Sequence, residues 1–262
     1  MHTQRPCAVV TGASSGIGRG FAERLAARGY DLILIARRTG RLANLADELA
    51  SRNGIRAEVL PVDLADRQQV EAIAVRLDDL GMSATVLVNC AGFGTAGNFV
   101  GEDAEQIARE IAVDVTAPTL LARMLLPQLI AAEGALVMVS SIAGRQPLPG
   151  AAVYGACKAY LSSLTAAIWQ ETRGSGLTVL GLCPGPTETE FFAVAASDSF
   201  RVGRVSTVDE VLDTAFAALD SGRGPLVTVS RLAQLQGVAT RVIPMRTTLR
   251  LGQRLMARAG AA

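Results

Sequence analysis

The sequence predicts an α/β fold built on a parallel sheet, and three observations support this class. Half of the 262 residues are hydrophobic and 19% are charged, so the chain has ample apolar material for a core. Short aliphatic runs alternate with longer segments whose apolar residues recur every three or four positions, as in helices. Several of the short runs, such as residues 32–35, are apolar on consecutive positions, which is typical of strands covered on both faces. The expected architecture is therefore a Rossmann-type doubly wound parallel sheet of about seven strands with helices on both faces.

The predicted elements follow one another without a linker that would divide the chain. The predicted strands are residues 7–11, 32–35, 57–62, 85–89, 135–140, 177–182 and 225–229. Helical periodicity between the strands is clearest in residues 41–51 and 70–80. We expect a single domain over residues 1–262, with a substrate-side insertion at about 187–206 and a basic amphipathic helix at about 244–259.

Composition argues against several functional classes. The net charge is +1 and no cluster of aromatic and basic residues is present, so we expect no nucleic-acid partner. No metal site is expected, because the only histidine is His2 and the cysteines are scattered and expected to be reduced. The cysteines are Cys7, Cys90, Cys157 and Cys183. Without a signal-peptide pattern or an apolar run of ~18 residues, the expected compartment is the cytoplasm.

The first predicted strand leads into a glycine-rich turn that is followed by a helical pattern. Glycines at such a turn let the backbone approach a pyrophosphate, while the helix N-terminus offers free N–H groups and a partial positive charge. The spacing is Gly-x-x-x-Gly-x-Gly, and a tight turn without a ligand is the alternative interpretation. The predicted phosphate-binding residues are Gly12, Ser14, Ser15, Gly16, Ile17 and Gly18.

The ends of the next strands predict how the rest of a dinucleotide is held. Strand two ends at Ala36, where NAD enzymes carry an acid, and continues into Arg37 and Arg38, whose guanidinium groups suit a 2′-phosphate. This favours NADP(H), with a solvated loop as the alternative. Asp63, followed by Leu64, is a candidate for the adenine edge, and residues 89–92 are candidates for holding the adenosine ribose and stabilising the sheet, although both stretches can be plain turns. The candidates in residues 89–92 are Asn89, Ala91 and Gly92.

A serine, a tyrosine and a lysine form the predicted catalytic group. Ser141 follows the fifth predicted strand, and Tyr154 and Lys158 lie four residues apart on a helical pattern, so they share one helix face. A free phenol has a pKa of about 10, and a neighbouring ammonium is expected to lower it toward the range that general acid–base catalysis needs. The Tyr–Lys spacing is weak evidence alone and gains weight only in this combination.

These motifs resemble the short-chain dehydrogenase/reductase family over residues 7 to about 190. The resemblance implies that Ser141 orients the substrate oxygen, that Tyr154 transfers the proton, and that Lys158 lowers the tyrosine pKa and grips the nicotinamide ribose. It further implies that the nicotinamide end is held by Pro184, Gly185 and Thr189, with Thr187 as a substitute for Thr189. Arg37 fits the NADP-preferring branch of the family.

One position departs from the family pattern. Asp114 stands where the family has an asparagine whose backbone carbonyl holds a water of the proton relay. If only the backbone acts there, the side chain merely holds a local break in the helix, and Asp114→Asn is nearly neutral. If the carboxylate points into the site, it favours charged Lys158 and opposes the Tyr154 phenolate. The backbone interpretation is favoured, because a buried unpaired carboxylate is costly.

The combined prediction is an NADP(H)-dependent oxidoreductase that interconverts a ketone or aldehyde and an alcohol. A double-bond reductase or epimerase on the same site and a non-catalytic NADP-binding protein are the alternatives. The expected partner is a small, hydrophobic carbonyl or alcohol substrate. The residues expected to line its pocket, which can equally be ordinary core, are Phe93, Leu148, Val153, Phe191 and Phe192.

Two features suggest contacts beyond the substrate. Residues 103–130 and 151–173 are rich in small and aliphatic side chains, and their equivalents in the resembled family pack across a two-fold axis, which implies a homo-oligomer, either dimer or tetramer. In the C-terminal helix, basic residues fall four apart, with Met245, Leu249 and Met256 on another side. Packing against its own domain or a partner subunit is favoured over peripheral membrane contact. The basic residues are Arg246, Arg250, Arg254 and Arg258.

Overall fold

The computed structural model describes residues 5–195, 200–229 and 244–259, with the side chains of Leu251 and of residues 254–259 left out. Its centre is a seven-stranded sheet in which every pairing is parallel, in the order β3-β2-β1-β4-β5-β6-β7. The strands are Cys7–Thr11 (β1), Asp31–Ala36 (β2), Ala57–Pro61 (β3), Ala84–Asn89 (β4), Ala135–Val139 (β5), Thr178–Leu182 (β6) and Leu226–Val227 (β7). The predicted fold class is confirmed.

Helices join the strands and cover both faces of the sheet. They are Gly16–Ala27 (α1), Thr39–Asn53 (α2), Arg67–Asp79 (α3), Ala104–Ile111 (α4), Ala117–Ala131 (α5), Ala152–Glu171 (α6), Phe191–Val194 (α7), Val208–Asp220 (α8) and Met245–Ala259 (α9). Local sequence determines several helix starts: the Asp66 and Asp103 side chains accept backbone N–H groups at α3 and α4, and Thr207 forms a capping box at α8. A turn of π-helix, Ala112–Thr116, joins α4 to α5.

The core is divided by the sheet into two apolar layers. On one face, Phe21 of α1 packs with Leu212 and Phe216 of α8. On the other, Leu121 of α5 packs with Leu161 of α6 and the remaining helices of that layer. Both faces of β2 are therefore covered, which explains its four consecutive buried aliphatic residues.

Some properties follow from what the described ranges contain. None of their helices is long and apolar enough to cross a membrane. Their cysteine and acidic side chains form no group that could hold a metal ion. The four cysteines are free thiols, and burial raises the pKa of Cys7, Cys90 and Cys157 to about 12. They are therefore protonated, unreactive thiols at neutral pH.

Candidate active site

A cleft of about 1110 Å³ opens at the carboxyl ends of the strands. The strand order reverses between β1 and β4, and the cleft lies over this reversal, where open parallel sheets bind ligands. The predicted cofactor and catalytic residues line it together, apart from Asn89 and Asp114. Residues that come from seven separate stretches of the chain thus form one continuous wall.

The glycine turn at one end of the cleft requires its glycines for steric reasons. A Cβ on Gly12, whose φ is +68°, would lie 2.9 Å from the Ala91 backbone, and one on Gly18 would lie 2.4 Å from the Gly12 carbonyl oxygen. A Cβ on Gly16 would lie 3.0 Å from Thr189 Cγ2. The turn is therefore pressed against the loops that follow β4 and β6. The Ser15 side chain does not cap α1, and the first turn of α1 holds no acidic residue, so the helix N–H groups suit an anion.

In the loop after β4, three residues line the cleft and one residue is buried behind them. Cys90, Ala91 and Gly92 line the cleft, and the backbone N–H groups of Cys90 and Ala91 donate to Thr11 Oγ1 at 2.9 and 3.1 Å. Asn89 lies behind them, 3% exposed, and its amide donates to the Pro118 carbonyl at 3.2 Å. The Asn89 amide thus joins β4 to α5, in keeping with the expected role in stabilising the sheet, and a contact of Asn89 with the ribose stays a prediction.

At the end of β2, Arg38 reaches over the glycine turn. Its guanidinium donates to Ser14 Oγ and Ser15 Oγ, both at 2.9 Å, while Arg37 is an exposed part of the cleft wall. Asp63 lines the same end, next to Leu64, and pairs with Arg109 at 2.6 Å. Partial burial works to raise the pKa of Asp63, but the Ala65 N–H and the Arg109 guanidinium outweigh it and lower that pKa. This carboxylate therefore already has a cationic partner.

Ser141, Tyr154 and Lys158 meet at the centre of the cleft. Ser141 follows β5, and the two others occupy successive turns of the first part of α6, as their spacing predicts. The Ser141 hydroxyl donates to the Pro184 carbonyl at 3.4 Å and accepts the Ala143 N–H at 3.1 Å, and Lys158 Nζ lies 5.5 Å from the centre of the Tyr154 ring. All three side chains are buried. The fold thus shields these three side chains from bulk water.

Asp114 lies in the π turn between α4 and α5, and its carboxylate points into this group. Oδ2 lies 2.8 Å from Lys158 Nζ, and Oδ1 accepts the Phe93 N–H at 3.1 Å. The side chain is fully buried. The preference for a backbone-only role was therefore wrong: burial of this carboxylate is tolerated because Lys158 is its ion-pair partner. The π turn provides the extra residue that directs the side chain toward α6.

Asp114 changes the proton affinities around it. Burial opposes the charged form of Lys158, but the Asp114 carboxylate outweighs it and raises the pKa of Lys158 above its usual value. Burial also raises the pKa of Tyr154; Lys158 works to lower it, and Asp114 adds to the increase. The expected lowering of the tyrosine pKa is thus not found, because burial dominates and Asp114 offsets the lysine charge. Tyr154 is accordingly a neutral phenol at physiological pH.

The loop after β6 and the segments beyond it close the other end of the cleft. Pro184, Gly185, Thr187 and Thr189 all line it. Phe191 and Phe200 pack around Tyr154, with ring centres 5.5 and 5.2 Å from the tyrosine ring. Of the residues predicted for the substrate pocket, Val153 is buried in α6 outside the cleft wall, and the rest line the cleft. The rest are Phe93, Leu148, Phe191 and Phe192.

Comparison with known proteins agrees with this geometry. The family model for short chain dehydrogenases matches residues 6–199. The chain belongs to the short-chain dehydrogenase family. It is 36% identical over 220 residues to sulfoacetaldehyde reductase from Chromohalobacter salexigens, an alignment covering 80% of this chain and 86% of that protein. As a short-chain dehydrogenase it is an oxidoreductase, which confirms the enzyme class predicted from its sequence.

Solved structures of short-chain dehydrogenases share the fold over nearly the whole chain. A short-chain dehydrogenase from Sphingobium yanoikuyae in complex with NADPH superposes with a TM-score of 0.80 at 34% identity, covering 90% of this chain and 94% of that one. The bulky-bulky ketone specific alcohol dehydrogenase from Comamonas testosteroni gives a TM-score of 0.77 at 29% identity, with 92% and 94% covered.

Several polar residues in or beside the cleft of this short-chain dehydrogenase were not predicted, among them Glu110, Glu190 and Thr248. Glu110 of α4 is fully buried and accepts both the N–H and the hydroxyl of Thr95. Glu190 pairs with arginines across the cleft, and Thr248 of α9 lines the cleft with a buried hydroxyl. No motif marks these residues, because each reaches the site through contacts between distant segments.

Proposed function

We propose that this chain is an NADP(H)-dependent oxidoreductase that interconverts a ketone or aldehyde and an alcohol, with Tyr154 as the general acid/base. The observation that carries the proposal is the buried group of Ser141, Tyr154 and Lys158 in the wall of a cleft that continues to the glycine turn. Ser141 is suited to orient the substrate oxygen, and the Tyr154 hydroxyl is suited to pass a proton to or from that oxygen.

The donor groups along the cleft fit a dinucleotide with a 2′-phosphate. The α1 N-terminus suits the pyrophosphate, and Arg37, Arg38 and Ser14 combine two guanidinium groups with a hydroxyl at the end of β2, where a 2′-phosphate would need them. The remaining predicted contacts are Ser15, Gly16, Ile17, Leu64, Ala91, Gly92, Pro184, Gly185, Thr187 and Thr189, all in the cleft wall. The NADPH complex of the Sphingobium yanoikuyae relative supports this choice. When bound, the nicotinamide supplies or accepts the hydride.

The protonation of the site favours carbonyl reduction. Burial and Asp114 raise the pKa of Tyr154, so that the phenol carries the proton that a reduced carbonyl oxygen must receive. Lys158 stays charged beside it, because Asp114 compensates for burial of the ammonium. Phe191, Phe200 and Leu148 make the substrate end of the cleft apolar, which suits a medium-sized hydrophobic carbonyl compound.

The decisive test is a panel of ketones and aldehydes assayed by loss of NADPH absorbance, with products analysed after reaction with [4-²H]NADPH. Deuterium on the carbinol carbon of an alcohol product is expected. Deuterium on a carbon of a former C=C bond would instead identify a double-bond reductase. Interconversion of stereoisomers without net cofactor consumption would identify an epimerase. Tight NADPH binding with no turnover across the panel would favour the non-catalytic alternative.

We further propose that the protein works in the cytoplasm as a homo-oligomer. Ile111 of α4 and Tyr160 of α6 are exposed, and both lie within the stretches predicted to form a two-fold interface. Sedimentation equilibrium should give a dimer or tetramer, and a monomer at micromolar concentration would contradict this proposal. Peripheral membrane contact through α9 is the less favoured alternative; the side chains of Arg254, Met256 and Arg258 lie outside the described part. Co-sedimentation with anionic vesicles tests it.

A further inference from the structure

Glu190 forms ion pairs across the cofactor end of the cleft. It lies in the loop after β6, yet Oε2 is 2.7 Å from Arg38 Nη1 and Oε1 is 2.5 Å from Arg41 Nη1, both on the far side of the glycine turn. The two guanidinium groups hold the pKa of Glu190 below its usual value, so the carboxylate is charged at neutral pH. An internal anion thus bridges two cations at the end of β2.

The cations that Glu190 holds include one assigned above to the cofactor. Arg38 also donates to Ser14 Oγ and Ser15 Oγ, so one guanidinium faces both the glycine turn and the Glu190 carboxylate. A phosphate and a carboxylate are both oxyanions that bind guanidinium donors in a similar way. Neither can use the same donor fully while the other is present.

We propose that Glu190 is a specificity-determining residue, an internal anion that competes with the cofactor 2′-phosphate for Arg38 and Arg41. This inference rests on the proposed function, because it requires an NADP-type phosphate at the end of β2. Glu190 and both arginines are partly exposed, so each ion pair is weak and can exchange with a ligand.

Replacement of these ion pairs by contacts with a phosphate would also affect the substrate end of the cleft. Glu190 stands between Thr189, whose methyl group fills the space where a Cβ of residue 16 would lie, and Phe191, which packs on Tyr154. A 2′-phosphate that takes over Arg38 would release the start of α7 from the opposite wall. An adenosine ligand without that phosphate would leave the bridge in place.

Calorimetric titration with 2′,5′-ADP and with 5′-AMP, which lacks the 2′-phosphate, tests the competition without turnover. Glu190→Gln should bind 2′,5′-ADP about 3- to 10-fold more tightly than wild type, the range expected for loss of two exposed ion pairs, and 5′-AMP unchanged. Glu188→Gln is the matched control: it removes a neighbouring exposed carboxylate, which lies 3.6 Å from Arg201 Nη1, and should change neither affinity.

The possible results separate the two proposals. Equal tightening of both ligands, equal tightening by Glu188→Gln, or no tightening at all would each overturn the role of Glu190. A wild-type protein that binds 2′,5′-ADP no better than 5′-AMP would contradict the NADP(H) preference itself. Wild-type preference for 2′,5′-ADP with an unaffected Glu190→Gln variant would leave that preference intact and reject only the competition.

Discussion

Two of the ion pairs in the molecule have nearly equal lengths but lie in very different surroundings. Lys158 and Asp114 lie 2.8 Å apart at the proposed catalytic centre, with side chains 6% and 0% exposed. Arg38 and Glu190 lie 2.7 Å apart at the cofactor end, with side chains 42% and 43% exposed. Distance therefore does not distinguish them, whereas burial does.

Burial determines what each pair can contribute. Removing one partner of the buried pair leaves a charge without water, so that pair is fixed and influences every titration near it. The exposed pair is screened by salt, and its two side chains are hydrated whether the pair is formed or broken. Another anion can therefore replace the Glu190 carboxylate with little change in free energy. The centre is thus suited to proton transfer and the cofactor end to reversible binding.

The largest effect is expected at Tyr154, the proposed proton carrier of the buried region. Tyr154→Phe keeps the ring contacts with Phe191 and Phe200 but removes the hydroxyl, so turnover should fall at least ~10²-fold while NADPH affinity is retained. Steady-state kinetics and a fluorescence titration measure the two quantities. Tyr160→Phe, which removes a hydroxyl from an exposed position on the same helix, is the control. Near-normal turnover of Tyr154→Phe would reject the assignment.

Asp114→Asn tests the buried pair directly. It should lower the free energy of unfolding by about 3–4 kcal/mol, the scale of a buried charge that loses its partner. Because Asp114 raises the pKa values of both Lys158 and Tyr154, the limb of the pH–rate profile that reports the tyrosine should move to lower pH. Urea unfolding and pH–rate profiles measure both. An unchanged stability and profile would restore the backbone-only role.

Glu110 provides a second buried carboxylate with a pH signature. Burial, opposed by the Thr95 hydrogen bonds and reinforced by Asp114, raises its pKa to about 7, above the ordinary value of 4.5. Between these values the native state holds a proton that the unfolded chain has lost, so wild-type stability should fall by about 2–3 kcal/mol as pH rises from 4.5 to 7. Glu110→Gln should lack this decline. Parallel slopes for the two proteins would disprove it.

A smaller effect is expected at the exposed cofactor end. Arg37→Asp should weaken NADPH binding by about 1.5–2 kcal/mol, roughly ten- to thirtyfold, because it replaces attraction to the 2′-phosphate with repulsion. Arg52→Asp, an exposed charge reversal near the end of α2 and outside the cleft, should leave the affinity unchanged. Equal dissociation constants for wild type and Arg37→Asp would assign Arg37 to a solvated loop.

The smallest effect is expected when the exposed ion pairs of Glu190 are removed. Glu190→Gln should change the free energy of unfolding by less than about 1 kcal/mol, because the pairs it removes are exposed. The same urea titration as for Asp114→Asn measures it. A loss as large as that of Asp114→Asn would show that the exposed bridge is structural, and the contrast drawn from burial would fail.

The parts of the fold that could be predicted are those encoded over short distances. The consecutive aliphatic residues 32–35 indicate a strand covered on both faces, and the structure buries all four. The glycines at positions 12, 16 and 18 indicate a turn in which the backbone must come close to other groups, and added Cβ atoms would collide there. Tyr154 and Lys158 share a helix face because of their spacing alone.

The parts that could not be predicted depend on contacts between distant segments. Whether Asp114 faces solvent or Lys158 depends on a π turn and on how that turn packs against α6, and neither has a local signal. The pKa of Tyr154 depends on burial that the whole fold creates. Glu190 and Arg38 are separated by 152 positions, and only the folded sheet brings them together.

The sequence by itself therefore determined the α/β class, the strand positions, the glycine turn and the shared helix face of Tyr154 and Lys158, because spacing along one strand or helix specifies which side chains share a face. The tertiary structure alone decided which charges are neighbours and whether water reaches them. Burial determines the proton affinity of Tyr154 and the strength of both ion pairs, and burial is a property of the tertiary structure. The electrostatics of the site therefore depend on the tertiary structure.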